Sequence, residues 1–221
     1  QESHRYGKNK YPMHLRSTQK WLRKMYEKSV CALAISERMA QEYEKRWNIH
    51  HYALTNAVDV PLYRQNQPQK NTGILVYAGG LHLNRYQSLI QIAEALEEQN
   101  KTEKRYTLEI YTDGKSKTLY QNAFEKFSCV TFMDYVKHDD IGSVYDRAEI
   151  LVHIETFDTA YHDFILYSLS TKISEYLATG IPILLYAPGD IFVSEYLRKN
   201  CAAAVISDSD RLKDTLHRLT R

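Results

Sequence analysis

From Gly73 onward, short apolar runs alternate with longer amphipathic stretches. The apolar runs have the length and the β-branched content of buried strands. They read GILVYAG, YTLEIYT, VTFMD, EILVHIE, IPILLYA and AAAVIS. Between them, apolar residues recur at helical spacing over residues 84–99, 116–127, 138–147, 168–179 and 189–199. Strands that alternate with helices predict an α/β fold, here a doubly wound, parallel, six-stranded, Rossmann-like sheet with right-handed crossovers.

The first part of the chain follows a less regular pattern. TQKWLRKMYEKS predicts a basic helix, and its buried side is expected to hold Trp21, Leu22, Met25 and Tyr26. VCALAIS predicts a buried strand that ends at Ser36, followed by a helix from Glu37 to Trp47 and a short strand near residues 52–55. A polar, proline-containing connector then leads into the regular part.

These patterns divide the chain into three parts. Residues 1–66 are expected to be the C-terminal remnant of an N-terminal domain with its linker. Residues 67–207 form the second domain, and residues 208–221 form a C-terminal helix. Because the chain starts at Gln1 in a basic segment without an evident beginning of a fold, we expect a fragment of a longer protein.

Composition narrows the class of protein. Hydrophobic residues make up 43% of the 221 residues and charged ones 25%, as in ordinary globular proteins. The net charge of +2 gives no general electrostatic case for nucleic acid. Neither a long apolar run nor a signal peptide occurs, and we expect a cytoplasmic protein.

The cysteines favour reduced thiols. Cys31, Cys129 and Cys201 are odd in number and have no paired spacing, so neither disulfides nor a zinc site are indicated. Cys31 and Cys201 lie in the runs VCALAI and CAAAVI, and we expect both to be buried in the core.

The basic helix near the start permits two interpretations. A partly aromatic helix with Arg16, Lys20, Arg23 and Lys24 can lie on an anionic membrane, which would place the protein peripherally at the inner face. A solvated helix face fits the same residues, and the short apolar stripe favours it.

The stretch SLSTKISEYLATGIP, from Ser168 to Pro182, has the features of an anion site. Ser168, Ser170 and Thr171 are N-cap candidates, and a helix start offers free backbone N–H groups to a phosphate. Lys172 adds a positive charge in the first turn, and Glu175 is placed to reach a sugar hydroxyl. The alternative is a capped surface helix on which Lys172 and Glu175 are solvated.

The fold rule indicates the same place. With strand order 3-2-1-4-5-6, ligands bind at the carboxyl ends of the strands, where the first and fourth strands are neighbours. The loops there are Gly79–Arg85 and Glu155–Thr171. Gly79 and Gly80 let the backbone approach a ligand, and Arg85 is either a diphosphate ligand or a surface arginine.

Other candidates are weaker. His153, inside an apolar strand, is more typical of a satisfied core residue than of a catalytic one. Tyr161, His162 and Asp163 lie on the loop before the helix predicted over residues 168–179. Asp208-Ser209-Asp210 favours a helix cap over a metal site. No complete Gly-x-Gly-x-x-Gly, zinc spacing or nucleophile elbow occurs.

Four stretches together resemble the C-terminal, donor-binding half of GT-B-fold glycosyltransferases, most similar to the family 4 (group 1) retaining enzymes. They are AISERMAQEYEKRWNIHHYALTNAVD, YAGGLHLNRYQSLI, FMDYVKHDDIGSVYDRAEILVH and LSTKISEYLATGIPIL, and they occur in the family's order. The resemblance covers residues 31 to 207.

The resemblance implies transfer of a sugar from a UDP-, GDP- or ADP-sugar, with retention of configuration and without a metal or a resident cofactor. The acceptor would be an unknown saccharide or lipid-linked molecule, in polysaccharide or glycoconjugate synthesis. Glu175 would bind the ribose, while Arg85 and Lys172 would offset charge on the departing diphosphate, assisted by the Ser170 and Thr171 amides. The donor-binding positions would be Gly79, Gly80, Arg85, Val136, Ser168, Leu169, Ser170, Thr171, Lys172 and Glu175.

The chain departs from the family pattern in three respects. Ala57 replaces a glycine, and Tyr167 replaces a glutamate that contacts the donor sugar, a role that Glu155 or Asp163 would have to take. Most of the acceptor domain is absent, so we expect this chain to be inactive by itself. A nucleotide-sugar-binding module without transferase activity and a nucleotide-sugar epimerase of the same fold therefore stay open as alternatives.

Overall fold

The main feature of the protein is a parallel, six-stranded sheet with helices on both faces. A computed structural model describes residues 12–63, 71–102 and 106–219. The large sheet has the order β5-β4-β3-β6-β7-β8, and all its neighbours are parallel. The predicted order 3-2-1-4-5-6 is thereby confirmed, with β3 and β6 adjacent at its centre.

Each apolar run of the sequence became a strand. The strands of the large sheet are β3 (Ile74–Ala78), β4 (Thr107–Tyr111), β5 (Val130–Met133), β6 (Ile150–Ile154), β7 (Ile183–Tyr186) and β8 (Ala204–Ile206). The small sheet consists of β1 (Ala32–Ala34) and β2 (His51–Ala53), which are also parallel.

Most helices of the large-sheet part are shorter than the patterns suggested, whereas the first helix is longer and the second has the predicted bounds. They are α1 (Pro12–Lys28), α2 (Glu37–Trp47), α3 (Val60–Tyr63), α4 (Arg85–Gln99), α5 (Gly114–Tyr120), α6 (Ile141–Tyr145), α7 (His162–Ile165), α8 (Thr171–Thr179), α9 (Phe192–Lys199) and α10 (Leu212–Leu219). Short 3₁₀ segments are Gln121–Phe124, His138–Asp140, Thr159–Tyr161 and Ser209–Arg211. The helix α3 was missed, because its four residues lie in a stretch that the sequence predicts to be a connector. The division at residues 66 and 67 lies outside the described residues.

The two faces of the sheet pack into separate parts of the core. Leu75 and Tyr77 of β3 pack on the face covered by α4, whereas Val76 and Ala78 pack on the face of α6 and α8. Because both faces are covered, the central strands are apolar at nearly every position instead of alternating.

The first helix buries a different side from the one predicted. Trp21 and Met25 are 60% and 63% exposed, so their predicted burial is wrong. The face toward the protein is centred on Leu22 and Tyr26, which are partly buried. Tyr26 sets this orientation, because its hydroxyl lies 3.0 Å from His51 Nε2 and its ring contacts Trp47.

The burial predicted for Cys31 and Cys201 is also wrong, since both are exposed and Cys129 is the buried cysteine. Cys31 precedes a strand of only three residues, on which Leu33 is exposed as well. Cys201 adopts a left-handed conformation (φ 50°) in the turn before β8. Both thiols therefore flank a strand instead of lying in it.

This difference predicts thiol reactivity. Burial, followed by the nearby Glu97 carboxylate, raises the pKa of Cys129 to about 12, so little thiolate forms there. With an aromatic disulfide reagent at neutral pH, we expect two thiols to react in the folded protein and a third only after denaturation. The double variant Cys31→Ser/Cys201→Ser should show no fast thiol. Rapid reaction of Cys129 in that variant would contradict the packing.

Candidate functional site

A cleft of about 720 Å³ opens at the carboxyl ends of β3 and β4, beside the start of α8. The carboxyl-end location and the Gly79–Gly80 loop agree with the prediction from sheet topology, but of the predicted loop Glu155–Thr171 only Thr171 lines the cleft. Its walls come from both parts of the chain, because residues 56–59 and α3 line it together with residues of the large sheet.

The floor of the cleft is bare backbone at Gly79 and Gly80. The Gly79 amide donates to Tyr111 O (2.9 Å), and the Tyr77 hydroxyl donates to Gly80 O (2.8 Å). A Cβ on Gly79 would lie 2.8 Å from the Tyr77 oxygen, which is itself buried. A side chain is therefore excluded at Gly79, and a ligand can approach the main chain.

The amino end of α8 forms one wall. Ser170 is the N-cap residue, but its side chain makes no capping hydrogen bond. Such a helix start presents N–H groups and the positive end of the helix dipole to an anion. Lys172 lies beside Gly79, and burial lowers its pKa, although the nearby Glu175 carboxylate opposes that shift.

Glu175, one turn into the helix, is a buried carboxylate at the wall of the cleft. It is 7% exposed, and its Oε2 accepts from the Tyr145 hydroxyl (2.8 Å). Its Oε1 lies 3.9 Å from Nδ1 of the exposed His138. The alternative of a solvated Glu175 is therefore wrong. Burial, with contributions from Tyr176 and Glu175, raises the pKa of Tyr145, which remains a hydrogen-bond donor.

The cleft also has an aromatic and apolar wall, which adjoins Glu175 through Tyr145. Tyr63 stacks on Tyr145 with ring centroids 6.2 Å apart, and Val136 and Ile141 complete the surface. Tyr135 at the rim is 69% exposed. A flat group such as a nucleobase would fit this wall.

An ion pair lies beyond Gly80. Arg85 is the first residue of α4, and its Nε and Nη2 lie 2.9 and 2.8 Å from Glu155 Oε2. Its Nη1 lies 3.1 Å from His82 Nε2. Burial alone would raise the pKa of Glu155, but His153 and Arg85 favour the charged form, and the pKa is lowered overall. Glu155 is therefore an ionised, buried carboxylate.

The predicted site residues divide into two groups. Those that line the cleft are Gly79, Gly80, Val136, Thr171, Lys172 and Glu175. Those outside its lining are Arg85, Ser168, Leu169 and Ser170, and Leu169 is buried in the core. Sequence reasoning missed the lining residues Tyr63, Tyr111, Thr112, Tyr135, His138 and Tyr145.

The remaining candidates lie elsewhere. Tyr167 faces α2: its carbonyl accepts from Ser36 Oγ (3.0 Å), and Arg38 lies over its ring. Asp163 is exposed on α7. His153 is buried as expected, but its Nε2 lacks a hydrogen-bond partner among the described residues, so it is not satisfied. Asp208 caps the 3₁₀ turn through Asp210 N (3.0 Å), as predicted.

Neither a metal cluster nor a membrane span was found in the described part of the chain. No group of three or more His, Cys, Asp or Glu side chains there is placed to hold a metal ion. Over the same residues, no helix combines the length and apolar character needed to cross a bilayer.

Comparison with known proteins shows the fold. No family model and no curated protein matches the chain. Among solved structures, TarM of S. aureus superposes on 92% of the chain with a TM-score of 0.69 and 14% identity. Trehalose-6-phosphate synthase from Burkholderia multivorans superposes on 94% of the chain with a TM-score of 0.63 and 11% identity. Sucrose-phosphate synthase from Thermosynechococcus elongatus superposes on 92% of the chain with a TM-score of 0.61 and 15% identity.

The large sheet thus has the Rossmann-like architecture of the C-terminal domain in GT-B glycosyltransferases. The chain spans 39% of the length of TarM, 56% of the trehalose-6-phosphate synthase and 52% of the sucrose-phosphate synthase.

Proposed function

We propose that this chain is the donor-binding part of a glycosyltransferase and that its cleft binds a nucleoside diphosphate sugar. The observation on which the proposal depends is the buried Glu175 carboxylate in the cleft wall, with Oε2 held by Tyr145 and Oε1 3.9 Å from Nδ1 of His138, which also lines the cleft. A carboxylate at this position accepts hydrogen bonds from vicinal ribose hydroxyls.

The rest of the cleft suits the other parts of such a donor. The base lies on the wall of Tyr63 and Val136. The diphosphate lies over Gly79 and Gly80, where the α8 amides and Lys172 supply positive potential. Solved structures with this fold support the assignment, because S. aureus TarM was crystallised with UDP, and pneumococcal GtfA with UDP and GlcNAc.

In the proposed reaction, the bond between the sugar and the diphosphate breaks, and negative charge develops on the departing diphosphate. Lys172 stabilises that charge from the cleft wall. Arg85 lies on α4, outside the lining of the cleft, and its Nη2 is 2.8 Å from Glu155 Oε2. Its contribution to stabilising the diphosphate therefore depends on that ion pair. We further propose retention of configuration, as in family 4 enzymes.

The acceptor would be a saccharide or lipid-linked molecule that another part of the protein binds, in polysaccharide or glycoconjugate synthesis. Catalysis requires both substrates in one site, so we expect this chain alone to bind donor without transferring sugar. A cytoplasmic enzyme with peripheral membrane contact through α1 fits the exposed Trp21 and Met25. Salt-sensitive binding to anionic but not neutral vesicles tests that contact.

One observation favours a second candidate, a binding module without catalysis. The residue at the position of the family's sugar-contacting glutamate, Tyr167, packs against α2 and does not line the cleft. Incubation of the full-length protein with labelled donor separates the candidates: a transferase consumes donor when acceptor is present, whereas a module leaves it intact.

A thermal-shift panel tests donor binding in this chain. We expect one of UDP, GDP and ADP to stabilise it by about 2.7 kcal/mol at a hundredfold excess over its Kd. For a chain of this size the melting temperature then rises by roughly 5–10 °C. The matching nucleoside should stabilise less at equal concentration, because it lacks the diphosphate. A panel without any shift would contradict the proposed function.

A further inference from the structure

Beyond Gly80, four titratable side chains form a connected cluster that the cleft itself does not include. They are His82, Arg85, His153 and Glu155. Two of them, Glu155 and His153, are only 4% and 5% exposed. Buried ionisable groups are costly to keep, so their arrangement calls for a physical explanation.

Glu155 uses its two carboxylate oxygens differently. Oε2 accepts a hydrogen bond from Arg85 Nε at 2.9 Å, and Arg85 Nη2 lies 2.8 Å from the same oxygen as an ion-pair contact. Oε1 faces His153 Nε2 at 3.7 Å, which is beyond hydrogen-bond distance. The Ser88 hydroxyl fixes the Glu155 main chain by donating to its carbonyl (2.8 Å). The carboxylate is therefore held rigidly, and one edge of the arginine is held with it.

The other edge of the Arg85 guanidinium contacts the exposed side chain of His82. Nη1 lies 3.1 Å from His82 Nε2, and His82 stands over Gly80, where a Cβ would lie 2.6 Å from its Nδ1. His82 is exposed, so its ring has solvent to move into. The imidazole lies between Arg85 Nη1 and Gly80, and Gly80 lines the cleft.

We propose that Glu155 is a positioning residue that holds Arg85 by its Nε and Nη2 edge, so that Nη1 binds the donor diphosphate once His82 is displaced. This inference rests on the proposed function. A guanidinium can bind two anions at once because its five N–H donors lie in one plane and point in different directions. Since the side chain is already ordered, the diphosphate does not have to immobilise it.

The unpartnered His153 nitrogen supports this role. When Arg85 shares its donors with a diphosphate, Glu155 loses part of its compensating charge. His153 Nε2 lies 3.7 Å from Oε1, and in the tautomer with its hydrogen on Nε2 a movement of under about 1 Å would bring it within hydrogen-bond distance. The structure thus contains a second group to stabilise the carboxylate during binding.

Whether Glu155→Gln raises or lowers the affinity for the nucleoside diphosphate tests the proposal. Loss of a negative charge next to the site would by itself strengthen binding of an anion. Loss of positioning should instead lower the affinity for the nucleoside diphosphate by about threefold to tenfold, which corresponds to the cost of immobilising one long side chain. Affinity for the matching nucleoside should not change, since it does not reach Arg85.

The experiment is a double-mutant cycle by calorimetry with UDP, GDP and ADP and with their nucleosides. The variants are Glu155→Gln, Arg85→Ala and the double variant, and the control is Glu97→Gln, whose carboxylate accepts from Ser128 and Cys129 away from the cleft. We expect Glu155→Gln to cause no further loss of diphosphate affinity once Arg85 is absent, and the control to match the wild type.

Three results would overturn the inference: stronger diphosphate binding in Glu155→Gln, additive losses in the double variant, or an equal loss of nucleoside affinity. If Glu155→Gln does not fold, Arg85→Lys takes its place, since lysine lacks the planar set of donors and should lose diphosphate affinity only. Unchanged affinity in Arg85→Lys would be contradictory. A wild-type chain that binds none of these ligands would refute the proposed function itself.

Discussion

Glu175→Gln is expected to weaken the binding of nucleoside and nucleoside diphosphate by the same factor. Glutamine keeps the size of the side chain and an acceptor for Tyr145, but it replaces the charged acceptor that faces the cleft. A charge-assisted hydrogen bond contributes about 1.5–3 kcal/mol, so the loss of one corresponds to a decrease in affinity of roughly tenfold to a hundredfold.

Calorimetric titration of the variant with nucleoside and with nucleoside diphosphate measures both losses. Glu94→Gln is a matched control on another helix, where the carboxylate is exposed and pairs with Lys126 at 3.3 Å. The control should bind as the wild type does. A Glu175 variant with unchanged affinity for both ligands would show that the ribose is bound elsewhere.

Lys172→Ala is expected to weaken the binding of the nucleoside diphosphate and to leave the binding of the nucleoside unchanged. The ammonium group lies in the cleft wall beside Gly79, where partial desolvation strengthens its interaction with an anion. We expect a loss of about tenfold to a hundredfold, because an interaction with a charged group is removed.

The same side chain predicts a pH dependence. Burial lowers the pKa of Lys172, so in the free protein the ammonium loses its proton at a lower pH than an ordinary lysine. Affinity for the diphosphate should therefore fall as the pH rises through that lowered pKa. Lys172→Arg, which stays charged, should keep its affinity to higher pH. Identical pH profiles for the two proteins would exclude Lys172 as the group that binds phosphate.

Periodicity predicted the large sheet because nearly every residue of its central strands is buried, whichever face it points to. The cores of GILVYAG and EILVHIE are apolar apart from His153, and so the strands β3 and β6 were found from local pattern alone. The topological rule then placed a ligand at the carboxyl ends of the strands, although the cleft lies at β3 and β4 instead of β3 and β6. The small sheet was harder, since a three-residue strand such as β1 exposes Leu33 although its sequence is as apolar as a core strand.

The site was only partly predictable, because local motifs do not contain contacts between distant segments. Glu175 was predicted from its place in the helix that the structure shows as α8, but its partner Tyr145 is 30 residues away on α6. Tyr63 reaches the cleft from a connector without helical periodicity. For Arg85, the sequence suggested a phosphate ligand or a surface residue, and neither interpretation included the ion pair with Glu155.

A structure of this chain with the nucleoside diphosphate that stabilises it most is the most direct test of the proposed donor site. We expect the ribose hydroxyls within hydrogen-bond distance of Glu175 Oε1, the base against Tyr63, and the diphosphate at the amides of Thr171 and Lys172. A nucleotide bound outside this cleft, or one whose ribose points away from Glu175, would contradict that proposal.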